Sequence, residues 1–227
     1  MSERAASRDF GTGPLARVSA LVYTLLVTEG LFLLTAAPGL VLLLLLDRDA
    51  SNLPLDALCL LPVGPAASAA LFALHRRQSD LADLSPAAAF WRGYRLNAMG
   101  VLRVFVPWLA ALTMVAMTLA HRTDGVPGWW RVLLVVIAIA ATLWLVNALV
   151  ITSLFAFRAV DVARLAGYFL GRTPLVTIGN AGVLVAAAIV TAYGTEALTA
   201  LLCTAFSLIV LRNSRVMIEQ VRTEFTA

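Results

Sequence analysis

Long apolar runs alternate with short polar segments along the chain, and six of these runs are candidate membrane spans. A helix rises about 1.5 Å per residue, so roughly 20 apolar residues cross the hydrocarbon core of a bilayer. A soluble domain of this length would not bury so much apolar sequence. The pattern predicts an all-α, polytopic transmembrane helical bundle with about six spans. The predicted spans are 18–46 or 30–46, 53–74, 104–120, 132–157, 175–193 and 197–211.

The first run is too long for one upright span, because its 29 residues would form a helix of about 43 Å. Either the helix tilts strongly, or residues 14–28 lie along the membrane interface and the span begins near Gly30. We favour the second arrangement, which places Glu29 at the interface. In the first arrangement Glu29 lies at mid-membrane, where a carboxyl group is a candidate proton or cation site.

The second run is interrupted by Pro62 and Pro65 on either side of Gly64. Proline removes a helical hydrogen bond, and neighbouring helices in a membrane tolerate the resulting kink. This run therefore predicts a kinked span, and we expect Asp56 to cap its outer end.

Charge gives the orientation. The 17 basic residues are all arginine, and 14 of them fall in the N-terminus, alternate loops and the C-terminus. Arginine near a span resists translocation, so these segments are predicted to be cytoplasmic. The prediction is a multi-pass membrane protein with cytoplasmic tails at 1–17 and 212–227 around one transmembrane domain, 18–211. We see no removable signal peptide in the polar N-terminus.

Composition agrees with membrane insertion, since 61% of residues are hydrophobic and 13% are charged, against about 25% charged residues in soluble domains. The net charge of +4 does not indicate a nucleic-acid partner. The arginines lie at the ends of apolar runs, where the anionic lipid of the inner leaflet accounts for them.

The first long inner loop predicts an amphipathic helix that begins at Ser85-Pro86. Phe90, Trp91 and Tyr94 recur at helical spacing, while Arg92 and Arg95 project from another sector. We expect this helix to lie in the membrane interface, with binding of an anionic ligand or partner protein as the functional alternative. A second inner loop carries Arg164, Tyr168 and Arg172 on one face and Val162, Leu165 and Phe169 on another. The candidate partner or ligand contacts are Phe90, Trp91, Arg92, Tyr94, Arg95, Asn97, Arg164 and Arg172.

Polar residues inside the predicted spans are functional candidates because they are costly in a bilayer. The intramembrane candidates are Glu29, Asn147 and Asn180. We expect both asparagines to make contacts between packed helices, with interhelical hydrogen bonding for Asn147.

Signatures of enzymes and metal sites are absent from the sequence. His75 and His121 fall on opposite sides of the predicted membrane, and Cys59 and Cys203 lie far apart inside apolar runs. We therefore expect no catalytic residue, no cofactor and no metal.

Two motifs carry a resemblance to a known family. Segment 62–74 (PVGPAASAALFAL) and segment 90–97 (FWRGYRLN) are similar to the YesL-like integral membrane proteins, a family defined by a domain of unknown function, and 170–175 (LGRTPL) is similar to its second inner-loop pattern. The resemblance implies a link to sugar uptake or utilisation and assigns no catalytic residues. We expect a non-catalytic accessory of carbohydrate uptake, with a sugar-import complex as partner or a homo-oligomer as assembly. A small secondary transporter or channel is the alternative, and a membrane-bound enzyme is a third.

Overall fold

The computed structural model describes residues 14–47, 49–79, 85–120, 128–194 and 196–225, which are helical with no strand among them. A short 3-10 helix covers Ala50–Asn52. The α-helices are α1 Pro14–Leu45, α2 Leu53–Cys59, α3 Val63–Ser79, α4 Pro86–Ala120, α5 Gly128–Leu154, α6 Ala159–Arg172, α7 Pro174–Tyr193, α8 Glu196–Leu201, α9 Cys203–Asn213 and α10 Arg215–Phe225. The predicted all-α class is confirmed.

Four or five elements of the described chain are long and apolar enough to cross a membrane. Four are single helices: Val18–Leu45, Pro86–Ala120, Gly128–Leu154 and Pro174–Tyr193. The fifth is the pair α2 and α3, which is bent by 41° at the predicted break around Pro62. The sixth predicted span, 197–211, is not a single helix. It is divided between α8 and α9, and α9 has only 11 residues.

Helix α1 is unbroken through Gly30, so residues 14–28 and the predicted span from Gly30 form one continuous helix. The polar residues that suggested an interface are enclosed by protein instead. Thr24, Thr28 and Glu29 are 5%, 0% and 9% exposed, and α1 packs against α3, α4 and α9. The stripe of polar residues on α1 therefore faces other helices of the bundle.

Helix α4 joins the predicted interfacial helix and the predicted third span into one element of 35 residues. Its predicted aromatic face is divided: Phe90 is fully buried in a cluster with Ala66, Ala69, Ala70 and Ala73 of α3, whereas Trp91 is exposed. The small side chains of α3 permit this close approach. The predicted helix at Ser85-Pro86 and the predicted third span are therefore one helix and not two.

A second close approach lies at the bend between α2 and α3. A β-carbon added to Gly39 of α1 would overlap the backbone carbonyl oxygen of Cys59, the last residue of α2. Only glycine leaves room for the carbonyl group at that position. The bend and α1 are thus in direct backbone contact.

The main core joins α3, α4, α5, α6, α9 and α10. Its fully buried side chains include Val101, Ile151, Phe169, Leu211 and Met217. Helix α6 has the two faces predicted for it: Val162, Ala166 and Phe169 are buried, whereas Arg164, Tyr168 and Arg172 are exposed.

Candidate functional site

One open groove lies on the exposed face of the first turns of α4. It has a volume of about 580 Å³ and is lined by Ala88, Trp91, Arg92, Arg95 and Leu96. We call these five residues the arginine surface. Both arginines are exposed, and the Trp91 side chain is 39% exposed. Cations and an indole ring are therefore presented together on one helix face.

The opposite face of the same helix is fixed in the interior. A β-carbon added to Gly93 would lie 2.8 Å from the Cβ and Cδ1 atoms of Phe72 in α3, so the two backbones run close together. The Tyr94 ring stacks on Phe90, with ring centroids 6.4 Å apart and planes at 21°. The arginine surface consequently lies on a helix whose opposite face is packed against α3.

Asn97 is also turned inward. Its side-chain amide donates a hydrogen bond of 3.1 Å to the backbone carbonyl of Ser153 in the last turn of α5. The hydroxyl of Ser153 in turn shares a 2.8 Å hydrogen bond with the hydroxyl of Ser68 in α3. Carbonyl groups at a helix end lack partners within the helix, so Asn97 completes α5 and ties three helices together. The structure thus gives Phe90 and Asn97 structural contacts within the bundle.

Arg164 and Arg172 lie apart from the arginine surface in sequence, on α6, which contacts α4. Both side chains are exposed. They add positive charge on a second amphipathic helix.

A second candidate site lies inside the bundle, where Glu29 meets the start of α9. The Oε2 atom of Glu29 accepts a hydrogen bond of 2.8 Å from the backbone N–H of Thr204. The residue that precedes α9, Leu202, provides no side-chain cap. A carboxyl group 175 residues away in sequence therefore serves as the acceptor that a helix N-terminus requires.

Several polar atoms around this contact lack a hydrogen-bonding partner. Among the described residues, the buried side-chain atoms without one include Thr28 Oγ1, Glu29 Oε1 and Thr204 Oγ1. We call Thr28, Glu29 and Thr204 the Glu29 cap. Buried polar groups are nearly always paired in proteins. The Glu29 cap is chemically unusual because each of its three residues has a buried oxygen atom without a hydrogen-bonding partner.

The sequence indicated only part of the Glu29 cap. Glu29 was a candidate, but Thr204 was not, because it lies inside an apolar run. The helix break at Leu202 has neither glycine nor proline at its centre, so no local signal placed a helix start there.

Asn147 and Asn180 have the roles expected of them. The amide of Asn147 donates to the carbonyl of Ala166 in α6 at 3.5 Å, beside the bond of 3.0 Å from Trp144 Nε1 to the carbonyl of Ala163. The amide of Asn180 donates to the hydroxyl of Ser214 at 3.4 Å. Both asparagines are 1% exposed, and interhelical hydrogen bonding by Asn147 is confirmed.

Metal-ligand clusters are not found in the part of the chain that the structure describes, where no three residues of the His, Cys, Asp and Glu types group together. His121 lies outside the described residues, as do the first part of the N-terminal tail and the polar loop before Gly128. Cys59 and Cys203 are free thiols.

Comparison with known proteins gives no assignment, because the chain matches no protein-family model, no curated protein and no solved structure. The YesL-like resemblance therefore stays a prediction from the sequence motifs.

Proposed function

We propose that this chain is a non-catalytic accessory protein of a bacterial inner membrane that binds a partner protein through the arginine surface. The observation that carries the proposal is the exposed Trp91–Arg92–Arg95 groove on a helix whose other face is locked against α3. In this proposal both termini and the arginine surface are cytoplasmic, as the arginine distribution predicts.

The chemistry of the groove favours a protein partner with acidic side chains. Arginine binds carboxylates through two parallel hydrogen bonds, and tryptophan and arginine dominate the energetics of protein interfaces. The helix that carries the groove is already packed on its other face, so its backbone need not fold on binding. Anionic lipid would also neutralise the arginines, so the experiment includes the withdrawal of anionic lipid.

The link to carbohydrate uptake rests on the YesL-like motifs. We therefore take a subunit of a sugar-import complex as the partner. The identity of the partner depends on the sequence resemblance, whereas the binding surface depends on the structure. An experiment can therefore contradict one of these two parts of the proposal and leave the other in place.

The experiment is affinity purification from native membranes followed by quantitative mass spectrometry. The test variant is Arg92→Ala with Arg95→Ala, and the matched control is Arg212→Ala with Arg215→Ala, a pair of exposed arginines elsewhere. We expect the test variant to lose the partner by about tenfold or more, which corresponds to about 1.4 kcal/mol of binding free energy, while the control retains it.

Three outcomes would contradict the proposal. Equal recovery of the partner with the wild type, the test variant and the control variant would show that the arginine surface does not bind it. Loss of the partner only when anionic lipid is withdrawn would assign the arginines to lipid. A retained partner that does not belong to sugar import would contradict the carbohydrate link alone.

A small transporter or channel is the second candidate, and the helix breaks favour it. The second span is bent by 41°, and the chain breaks again at Leu202 beside the Glu29 cap. Broken helices often form the substrate site of a transporter. Flux of sugars into proteoliposomes that is lost with Glu29→Gln or Asn147→Ala would support this candidate, and the absence of flux for the intact protein would contradict it.

A further inference from the structure

Glu29 lies near the middle of the first candidate span, Val18–Leu45. It is within about one helical turn of the midpoint of Val18–Leu45. The residue is 9% exposed, and it is the one acidic residue between positions 18 and 46. An ionised carboxylate at such a depth is expensive unless it is paired.

The hydrogen bonds at Glu29 satisfy only half of an ionised carboxylate. Oε2 accepts from the Thr204 N–H, whereas Oε1 is buried without a partner. A carboxylate can only accept hydrogen bonds, but a protonated carboxyl group also donates one. A proton on Oε1 would remove the charge and leave the bond from Thr204 to Oε2 in place.

No described cation compensates the carboxyl group. The group that interacts with Glu29 electrostatically is the thiol of Cys203, next to Thr204. Burial and Thr204 act on the Glu29 carboxyl group, and no described cation is among the groups that do. The described charged and titratable groups on the helices packed against α1 are Asp56 on α2, His75, Arg76 and Arg77 on α3, Arg92, Tyr94, Arg95 and Arg103 on α4, and Arg212 on α9. Among the described groups, none offsets a negative charge on Glu29.

An apolar groove lies near the same place. It has a volume of about 550 Å³ and lies between α1 and α8, with Leu33, Ala37, Leu198 and Leu201 in its lining. Leu33 is one turn along α1 from Glu29, and Leu201 is the last residue before the break at Leu202. An apolar reagent bound in this groove would therefore lie about one helical turn from Glu29.

We propose that Glu29 is a proton-binding site embedded in the helical bundle, with the proton on Oε1 while Oε2 caps α9. The site is independent of the arginine surface and of the identity of any partner. It adds a chemical property to the protein that an accessory role does not require.

The test is labelling of the full-length protein in membranes with dicyclohexylcarbodiimide, which reacts with protonated carboxyl groups in apolar surroundings. The acid adds across the carbodiimide to form an O-acylisourea, which rearranges to a stable N-acylurea of the same composition. We expect one reagent molecule on the peptide that contains Glu29 at acidic pH, less of it as the pH rises, and no effect of sodium ions.

Two variants and one independent measurement keep the test decisive. Glu29→Gln should abolish the label, and Asp56→Asn, a carboxyl group at the end of the second span, should leave it unchanged. Infrared spectra should contain a carbonyl band of a protonated carboxyl group that is missing in Glu29→Gln. Lack of both the label and the band at acidic pH would overturn the proposal. Protection by sodium ions at constant pH would overturn it in favour of a metal-cation site.

Discussion

The arginine surface and the Glu29 cap place charged side chains in opposite settings. On α4, Arg92 and Arg95 are exposed beside Trp91, and water or a partner solvates them. In the bundle, Glu29 is 9% exposed and accepts a hydrogen bond from the backbone N–H of Thr204. A charge at the surface costs little free energy and is available for binding. Burial of a carboxyl group costs free energy when the group is ionised, so its stability in the fold depends on its protonation state.

The largest expected effect separates the two faces of α4. Replacement of Phe90 by alanine removes a fully buried ring and should lower the free energy of unfolding by about 3–5 kcal/mol. Trp91→Ala is the matched control, because its ring is partly exposed, and it should cost less than about 1.5 kcal/mol. Thermal unfolding in detergent would compare them, and equal losses would mean that Trp91 is part of the interior.

The next effect tests whether the Glu29 cap stabilises the bundle. Glu29→Leu leaves the Thr204 N–H without an acceptor and should destabilise the protein by about 1–2 kcal/mol. Glu29→Gln keeps an oxygen acceptor and should cost less than about 0.5 kcal/mol. Denaturation in mixed micelles measures both, and a leucine variant as stable as the wild type would show that the cap contributes nothing.

A smaller effect lies under the arginine surface, at Asn97. Asn97→Ala removes the hydrogen bond to the Ser153 carbonyl and should lower the free energy of unfolding by about 1 kcal/mol. The neighbouring exposed residue Leu96 provides the control, since Leu96→Ala should change stability by less than about 0.5 kcal/mol. An unchanged free energy of unfolding for Asn97→Ala would mean that Asn97 does not support the fold, and Asn97 would again be a candidate contact for a partner or ligand.

The smallest effect on stability belongs to the arginine surface. Arg92→Ala with Arg95→Ala should shift the free energy of unfolding by less than about 0.5 kcal/mol, as is usual for exposed positions. Its partner binding should nevertheless fall as described above. A large loss of stability in this variant would show that these arginines support the fold, and the contrast with Glu29 would disappear.

The sequence predicted the features that depend on local pattern. Helix class, the bend at Pro62 and the two faces of α6 follow from apolar periodicity and proline chemistry. Periodicity identified the aromatic face of α4 but not what covers it, since Phe90 meets alanines of α3 that only the folded chain brings together. The start of α9 escaped prediction because its acceptor, Glu29, is 175 residues away.

Continuity of the helices escaped prediction for a related reason. A polar stripe of Thr24, Thr28 and Glu29 has the same pattern whether water, lipid headgroups or another helix covers it. The structure covers it with protein, so α1 continues where an interfacial segment was expected to end.

The glycine contact at the bend has a mechanical consequence for α1. The Cys59 carbonyl group occupies the space that a side chain at Gly39 would fill, so α1 does not slide along its axis without first separating from α2. Glu29 lies ten residues earlier on the same helix, a distance of about 15 Å, and is bonded to Thr204. Two contacts on one helix, one with α2 and one with α9, therefore set the position of α1 along its axis.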